Sequence, residues 1–405
     1  MKHYLFYSFI APFHCGLFRR FSFACLFGAI SVSLMGLMFA FDMSAKPASE
    51  IMQFYLTSFA FIGLLVMPLG FVMFGKLRFK VWYSIMVLLT LIPFVLNLIP
   101  ERPEIIDGLM FGLIVAPFWT IYHILMMQLT GNQDKGNSIA LALNMIVVGS
   151  LIGLGIATWL STTQVTLSTI TYVGCILNTA SIVLMLGCLS RYAHKSQRDV
   201  RGTSVLYEIV AYKKRTAITL MFGFLYAPSS ILWPIFLLKI GFTMVLAGLF
   251  EILSCIVRVS VSGLAGRMSD RKDDSALRAS AILLTFGKLP WLLASHIAFI
   301  PITVLVWSVA RHFKSTGYTA MWYRSKSING LAASEALLAI GRVAGIVVFV
   351  PLLFASPQAF ILLAMIASLI AYVMCWPKER FKVFTTPIQL NAKTELIPVK
   401  IRVKR

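Results

Sequence analysis

The sequence predicts an all-α polytopic membrane protein of twelve transmembrane helices in two pseudo-symmetric six-helix halves. Three observations carry that expectation: an apolar composition, a train of runs each the length of a bilayer span, and basic residues gathered in alternate connections. Of 405 residues, 59% are hydrophobic and 13% charged, with a mean hydropathy of +0.85, whereas soluble domains carry about 25% charge. A net charge of +21 would suggest nucleic acid in a soluble domain. Here the basic residues stand between apolar runs, where they orient a chain in a bilayer, so membrane lipid is the expected partner and nucleic acid is not.

A helical span needs about 20 apolar residues. On that scale the runs fall at 21–41, 51–74, 81–99, 108–130, 139–161, 166–190, 216–238, 242–265, 277–299, 301–322, 331–354 and 358–376. Lys2, Arg19 and Arg20 precede the first. Lys76, Arg78 and Lys80 separate the second from the third, and a central stretch from Arg191 to Arg215 carries seven basic residues between the sixth and the seventh. The tail after Trp376 is basic as well. The odd-numbered connections are poor in such residues: Asp42 to Glu50 holds only Lys46, and Glu101 to Asp107 only Arg102. The alternation places both termini in the cytoplasm, with the loop Gly131 to Asn137 near neutral.

Five segments follow: 1–20 as an N-terminal cytoplasmic or interfacial segment, 21–191 as the first half, 192–215 as a basic central cytoplasmic loop, 216–376 as the second half, and 377–405 as a basic cytoplasmic tail. The run Tyr4 to Phe18 is broken by Pro12, His14 and Gly16 and lacks an A-x-A site, so it reads as an interfacial segment rather than a cleaved signal. Compact loops point to a bacterial inner membrane and a monomer. Between the halves, Ser138-Ile-Ala-Leu aligns with Ser334-Glu-Ala-Leu, bringing Val147 onto Val343 and Gly149 onto Gly345, as two parallel repeats require. Gly149 and Gly153, like Gly341 and Gly345, share a helix face and would let backbones approach closely. Pro228 and Pro234 in the seventh span, and Pro117 in the fourth, would bend their helices.

Between the eighth and ninth spans stands Gly266-Arg-Met-Ser-Asp270-Arg271-Lys272. This charged turn resembles the loop signature of the major facilitator superfamily, and the resemblance implies a secondary transporter in which Gly266, Asp270, Arg271 and Lys272 latch one face. The match is partial, since Asp273 and Asp274 stand where the pattern wants Gly and a basic residue. In the corresponding first-half loop, Phe74 occupies the place of the signature's Asp. The fifth span lacks the glycine-proline pairing of the superfamily's proton-driven drug exporters, which argues against multidrug antiport.

Ionisable groups inside spans are the informative residues, because they are expensive in lipid and face a cavity or a partner. They crowd the second half: Glu251 and Arg258 in span eight, Lys288 in span nine, Arg311, His312 and Lys314 in span ten, Arg342 in span eleven. Glu251 and Arg258 share a face but stand too far apart to touch, so Lys288 and Arg311 are the candidate partners of Glu251. Read functionally, Glu251 couples protons or orients the solute, and Lys288, Arg311 and Arg342 clamp an anion. Read structurally, the same groups are an ion-pair network, with Arg258 and Lys314 snorkelling to the surface. Glu335 reads as a cap at the start of span eleven. The first half offers His123, with Trp119 and Tyr122 as candidate cavity walls.

The six cysteines lie in or beside apolar runs with no C-x-x-C and no histidine at ligand spacing, so free thiols are expected and no metal site. Nothing matches G-x-x-x-x-G-K-[ST] or H-E-x-x-H, and no Ser/His/Asp grouping stands out, so neither a cofactor nor an enzyme is expected. The sequence therefore reads as a carrier of a small anionic or zwitterionic organic solute, with protons as the candidate coupling ion. A transporter-like scaffold or sensor without turnover is the alternative.

Overall fold

The computed structural model describes residues 16–129, 135–163, 165–190, 204–271, 275–294, 297–323 and 327–376. Lys272, Asp273, Asp274, the chain up to Cys15, residues 192–203 of the central loop and the tail after Trp376 lie outside them. The described residues are almost wholly helical, with no strand among them. In a bilayer a helix satisfies its backbone hydrogen bonds within itself, so each apolar run folds as a helix whatever its neighbours are.

The first half runs through α1 (Gly16–Ser44), α2 (Ala48–Ala60), a π-helical turn at Phe61–Val66, α3 (Met67–Lys76), α4 (Phe79–Leu96), α5 (Glu104–Leu129), α6 (Lys135–Leu160) and α7 (Leu167–Leu189). After a short α8 (Val205–Ala211) come α9 (Lys213–Tyr226), a second π-helical turn at Ala227–Ile231, α10 (Trp233–Lys239), α11 (Met244–Arg271), α12 (Ser275–Phe286), α13 (Leu289–Ala294), α14 (Ile300–Tyr323), α15 (Ile328–Ala355) and α16 (Pro357–Met374). Arg19 and Arg20 stand inside α1 rather than ahead of it.

Among the described residues nine helices are long and apolar enough to cross a bilayer, or ten when the pair bent by 44° around Leu232 is taken as one span. That bend lies where Pro228 and Pro234 were expected to produce it, and Pro228 sits in the π-helical turn. Pro117, by contrast, is carried within the continuous α5. The expected ninth span is divided into α12 and α13 at Gly287-Lys288. The expected tenth, α14, has 24 residues but includes Arg311, His312 and Lys314. Leu88, Val95, Ile176, Leu369 and Val373 are among many large apolar side chains left exposed on the outer surface, as lipid contact requires. The protein is an integral multi-pass membrane protein.

Close backbone contacts set the packing. A Cβ at Gly149 would lie 2.5 Å from the Leu26 carbonyl oxygen, and one at Gly345 would lie 2.5 Å from that of Phe224, so α6 sits against α1 as α15 sits against α9. Across the bundle, α6 packs along α11, and α15 along α2 and α3. The lone basic residues of two connections are held in ion pairs. Arg102 Nε lies 2.7 Å from Asp107 Oδ1, and Lys46 Nζ lies 2.9 Å from Glu104 Oε1. The hydrogen bond to Glu104 raises the Lys46 ammonium above its ordinary pKa. Lys46 is partly exposed, so Lys46→Ala is expected to change stability by no more than about 1 kcal/mol, read as a nearly unchanged melting temperature in detergent.

Candidate functional site

Three helices of the second half each turn a charged face inward. Glu251, Cys255 and Arg258 follow one another at four and three residues on α11; Arg311, Lys314 and Tyr318 at three and four on α14; Glu335, Leu338 and Arg342 at three and four on α15. Side chains at such spacing stack on one side of a helix. All nine line a cavity of about 340 Å³ between the halves. The opposite wall is aromatic, formed by Tyr55, Phe59, Phe111, Phe118, Trp119 and Tyr122 from α2 and α5. Among the lining residues, every carboxylate, lysine and arginine comes from the second half, and the first half contributes His123 beside the tyrosines Tyr55 and Tyr122.

Arg311 is the partner of Glu251: its Nη1 lies 3.5 Å from Glu251 Oε2, and its guanidinium is 5.4 Å from the Trp307 ring centroid. The second carboxylate oxygen, Oε1, is buried without a hydrogen-bond partner. Arg342 is held by rings from both halves, its guanidinium carbon 5.5 Å from the Phe59 centroid and 4.7 Å from that of Tyr226. Lys314 Nζ stands 5.1 Å from the same Tyr226 ring and 3.4 Å from Ser229 Oγ. The two cations therefore share one aromatic ring, a cation–π arrangement that strengthens as water is excluded.

Toward the end where α6 begins, the halves touch through His123. Its Nδ1 is 2.5 Å from the Tyr323 hydroxyl on α14, and its Nε2 is 3.6 Å from Glu335 Oε1 on α15, an ion pair whenever the ring is protonated. At the rim of that end the backbone N–H of Gly136 donates to Asp270 Oδ1 at 2.6 Å. No side chain fits between, because a Cβ at Gly136 would collide with the Gly266 carbonyl. Asp270 and Gly266 thus stand at a contact between the halves. Lys272 lies outside the described residues, as does the side chain of Arg271. A hydrogen bond to a charged acceptor contributes about 1.5–3 kcal/mol, so Asp270→Asn is expected to favour opening at this end roughly tenfold. Alkylation of cavity-lining Cys255 by an impermeant maleimide added from that side should accelerate accordingly. An unchanged rate would show that the contact does not hold the end shut.

Of the residues expected at a site, Glu251, Arg311, Arg342, His123, Trp119 and Tyr122 line this one cavity. Lys288 does not. It is buried at the break between α12 and α13, and its Nζ has no partner. Arg258 and Lys314 were expected to reach the surface and instead line the cavity, Lys314 being only 5% exposed. Glu335 is no cap: α15 begins at Ile328, where Ser327 Oγ accepts from the Gly330 N–H, and Glu335 lies two turns inside. The repeated charged faces were the sequence signal for all three. Tyr226 and Tyr318 gave none, since an aromatic in an apolar run is indistinguishable from lipid-facing or core residues.

No family model matches the chain, and no curated protein matches it in sequence. Solved structures do. The human organic anion transporter MFSD10 (TETRAN) is similar with a TM-score of 0.66 at 11% identity, over 88% of this chain and 98% of that one. FucP, a major facilitator superfamily transporter captured in the outward conformation, gives 0.59 at 13% identity over 91% and 98%. A D-xylose-proton symporter gives 0.56 at 13% identity over 91% and 97%. At such identities the likeness is one of fold.

Proposed function

We propose, from the major facilitator fold shared with those proteins, that the chain is a secondary transporter moving a small organic anion or zwitterion by alternating access through the central cavity. The observation that carries this reading is the surplus of cations: Arg258, Arg311, Lys314 and Arg342 face the cavity against only Glu251 and Glu335. Charge in a site walled off from water is costly unless a ligand or partner compensates it. Glu251, with one oxygen paired to Arg311 and the other unpartnered, is the group we assign to proton coupling.

The same proposal takes the helices as twelve spans in two six-helix halves, with α12 and α13 as one span and α14 as another. Its support is the matched contact of Gly149 with α1 and Gly345 with α9. The alternation of basic connections places both termini in the cytoplasm, and a bacterial inner membrane and a monomer complete the reading.

A scaffold or sensor without turnover is the second reading. It is favoured by Phe74, which stands where the resemblance wants a carboxylate and packs edge-on against Trp82 with centroids 4.9 Å apart. Purified protein in liposomes, with a pH gradient, an internal pH dye and a panel of organic anions, amino acids and sugars, separates the two. Solute-dependent proton movement that Glu251→Gln abolishes is the expected result. Uptake unaffected by Arg258→Ala, Lys314→Ala and Arg342→Ala alike would sink the anion assignment, and folded protein that moves no member of the panel would shift weight to the scaffold.

A further inference from the structure

We propose that the solute is an amphipathic organic dianion, its doubly charged head among Arg258, Lys314 and Arg342 and its flat apolar body against the aromatic wall of the first half. The inference rests on the reading of the cavity as a solute site and narrows what that site accepts.

The charge argument comes from pairing. Of the two carboxylates of the cavity, Glu251 is paired with Arg311 at 3.5 Å, and Glu335 stands 3.6 Å from His123 Nε2. The three remaining cations have no carboxylate within ion-pair distance among the described residues, and Nε of both Arg258 and Arg342 lacks a hydrogen-bond partner. Two of the three converge on one ring, Tyr226, at 4.7 Å for Arg342 and 5.1 Å for Lys314. A single carboxylate would leave two of these three positive charges uncompensated in a buried site, whereas a dianionic head leaves one and offers acceptor oxygens to all three. A zwitterion fits less well, since four cations face the cavity against two carboxylates, one of them already paired to Arg311.

The shape argument comes from the opposite wall. Phe111 and Trp119 present ring surface and few polar atoms, Tyr55 and Phe59 narrow edges of theirs, and the fully buried rings of Phe118 and Tyr122 pack against Trp119. Phe118, Trp119 and Tyr122 form a continuous aromatic corner, with Trp119 5.2 Å from Phe118 and 5.3 Å from Tyr122 between centroids. Such a wall gains from covering an apolar or aromatic body and offers a polyhydroxylated solute little to hydrogen-bond. A solute that bridges the two walls touches both halves at once, as a carrier's solute must in order to draw them together.

Thermal stabilisation of the purified protein, measured at pH 8 against a matched set, tests this without needing transport. The set is phenyl phosphate and isophthalate (ring and dianion), benzoate (ring and monoanion), succinate (dianion without ring) and phenyl glucoside (ring, uncharged). Phenyl phosphate or isophthalate is expected to reach half-maximal stabilisation at a concentration at least about tenfold below benzoate, the effect of one further charge-assisted hydrogen bond, and below succinate as well. Whichever of the two dianions wins distinguishes a phosphate ester from a dicarboxylate. Arg258→Gln and Lys314→Gln should each narrow the gap between dianion and monoanion, and the wild-type ranking decides even where a variant does not fold. Equal midpoints for benzoate and both aromatic dianions, tighter binding of succinate or the glucoside, or no shift with any probe in monodisperse protein each overturn the proposal. Dianion binding without counterflow in liposomes upholds it and instead overturns the transporter reading.

Discussion

Arg342→Gln is expected to reduce solute affinity by roughly 30-fold to several thousand-fold, the range for removing one member of a buried charged contact, and to bring uptake to background. Arg342 is singled out because it does two things from one position on α15. Its guanidinium faces the cavity and lies over the rings of Phe59 of the first half and Tyr226 of the second. Losing it therefore removes both a solute ligand and a contact through which the halves sense one another. Arg342→Lys keeps the charge and loses the planar stacking, so an intermediate affinity is expected. Equilibrium binding alongside uptake separates the two contributions. Uptake of the glutamine variant within about twofold of wild type would remove the cation cluster from the site.

Gly345→Val is the change expected to damage the fold most. A Cβ there would stand 2.5 Å from the Phe224 carbonyl oxygen and 2.9 Å from the Ala227 Cβ, and the backbone of a packed helix cannot yield as a flexible side chain does. Overpacking of this kind costs about 1–3 kcal/mol or more. Because α9 ends on Tyr226 and runs into the π-helical turn that carries Ser229, the displacement would reach the cavity as well. Gly149→Val should produce a comparable loss against α1, while Gly155→Val is the control, with nothing within 4 Å of the added Cβ. Melting temperature and monodispersity in detergent check all three. Equal tolerance of the three substitutions would contradict the packing described above.

Much of the fold was legible. Gly149 and Gly345 were recognisable as helix-contact residues because small residues at four-residue spacing in an apolar run have few other uses. Pro228 and Pro234 marked a true bend. The expected ninth and tenth spans carry more charge than most of the others: Lys288 stands at the break between α12 and α13, and Arg311 and Lys314 on α14 face the cavity, so neither stretch is a purely apolar run.

Part of the cavity lining was legible as a set of residues and not as an arrangement. Glu251, Arg311, Arg342, His123, Trp119 and Tyr122 could be named from the cost of charge in lipid and from aromatic clustering. Their grouping could not. Lys288 and Arg311 were equal candidates for Glu251, and only Arg311 is in reach. Glu335 looked like a cap because its apolar run starts a few residues late, whereas α15 begins at Ile328 and carries Glu335 two turns inward to His123.

What the sequence determined by itself is what a single helix can decide: the apolar length of most of the membrane-spanning helices and the charged faces of α11, α14 and α15. Each follows from the bilayer acting on one segment, since lipid obliges a helix to satisfy its own backbone and to hide its own charges. The tertiary structure decided which of those faces meet. Helix rotation and tilt are set by contacts between segments far apart in the chain, such as Gly149 on Leu26 and Gly345 on Phe224. A rotation of one residue's width would carry Arg258, Lys314 or Arg342 out of the cavity and into lipid.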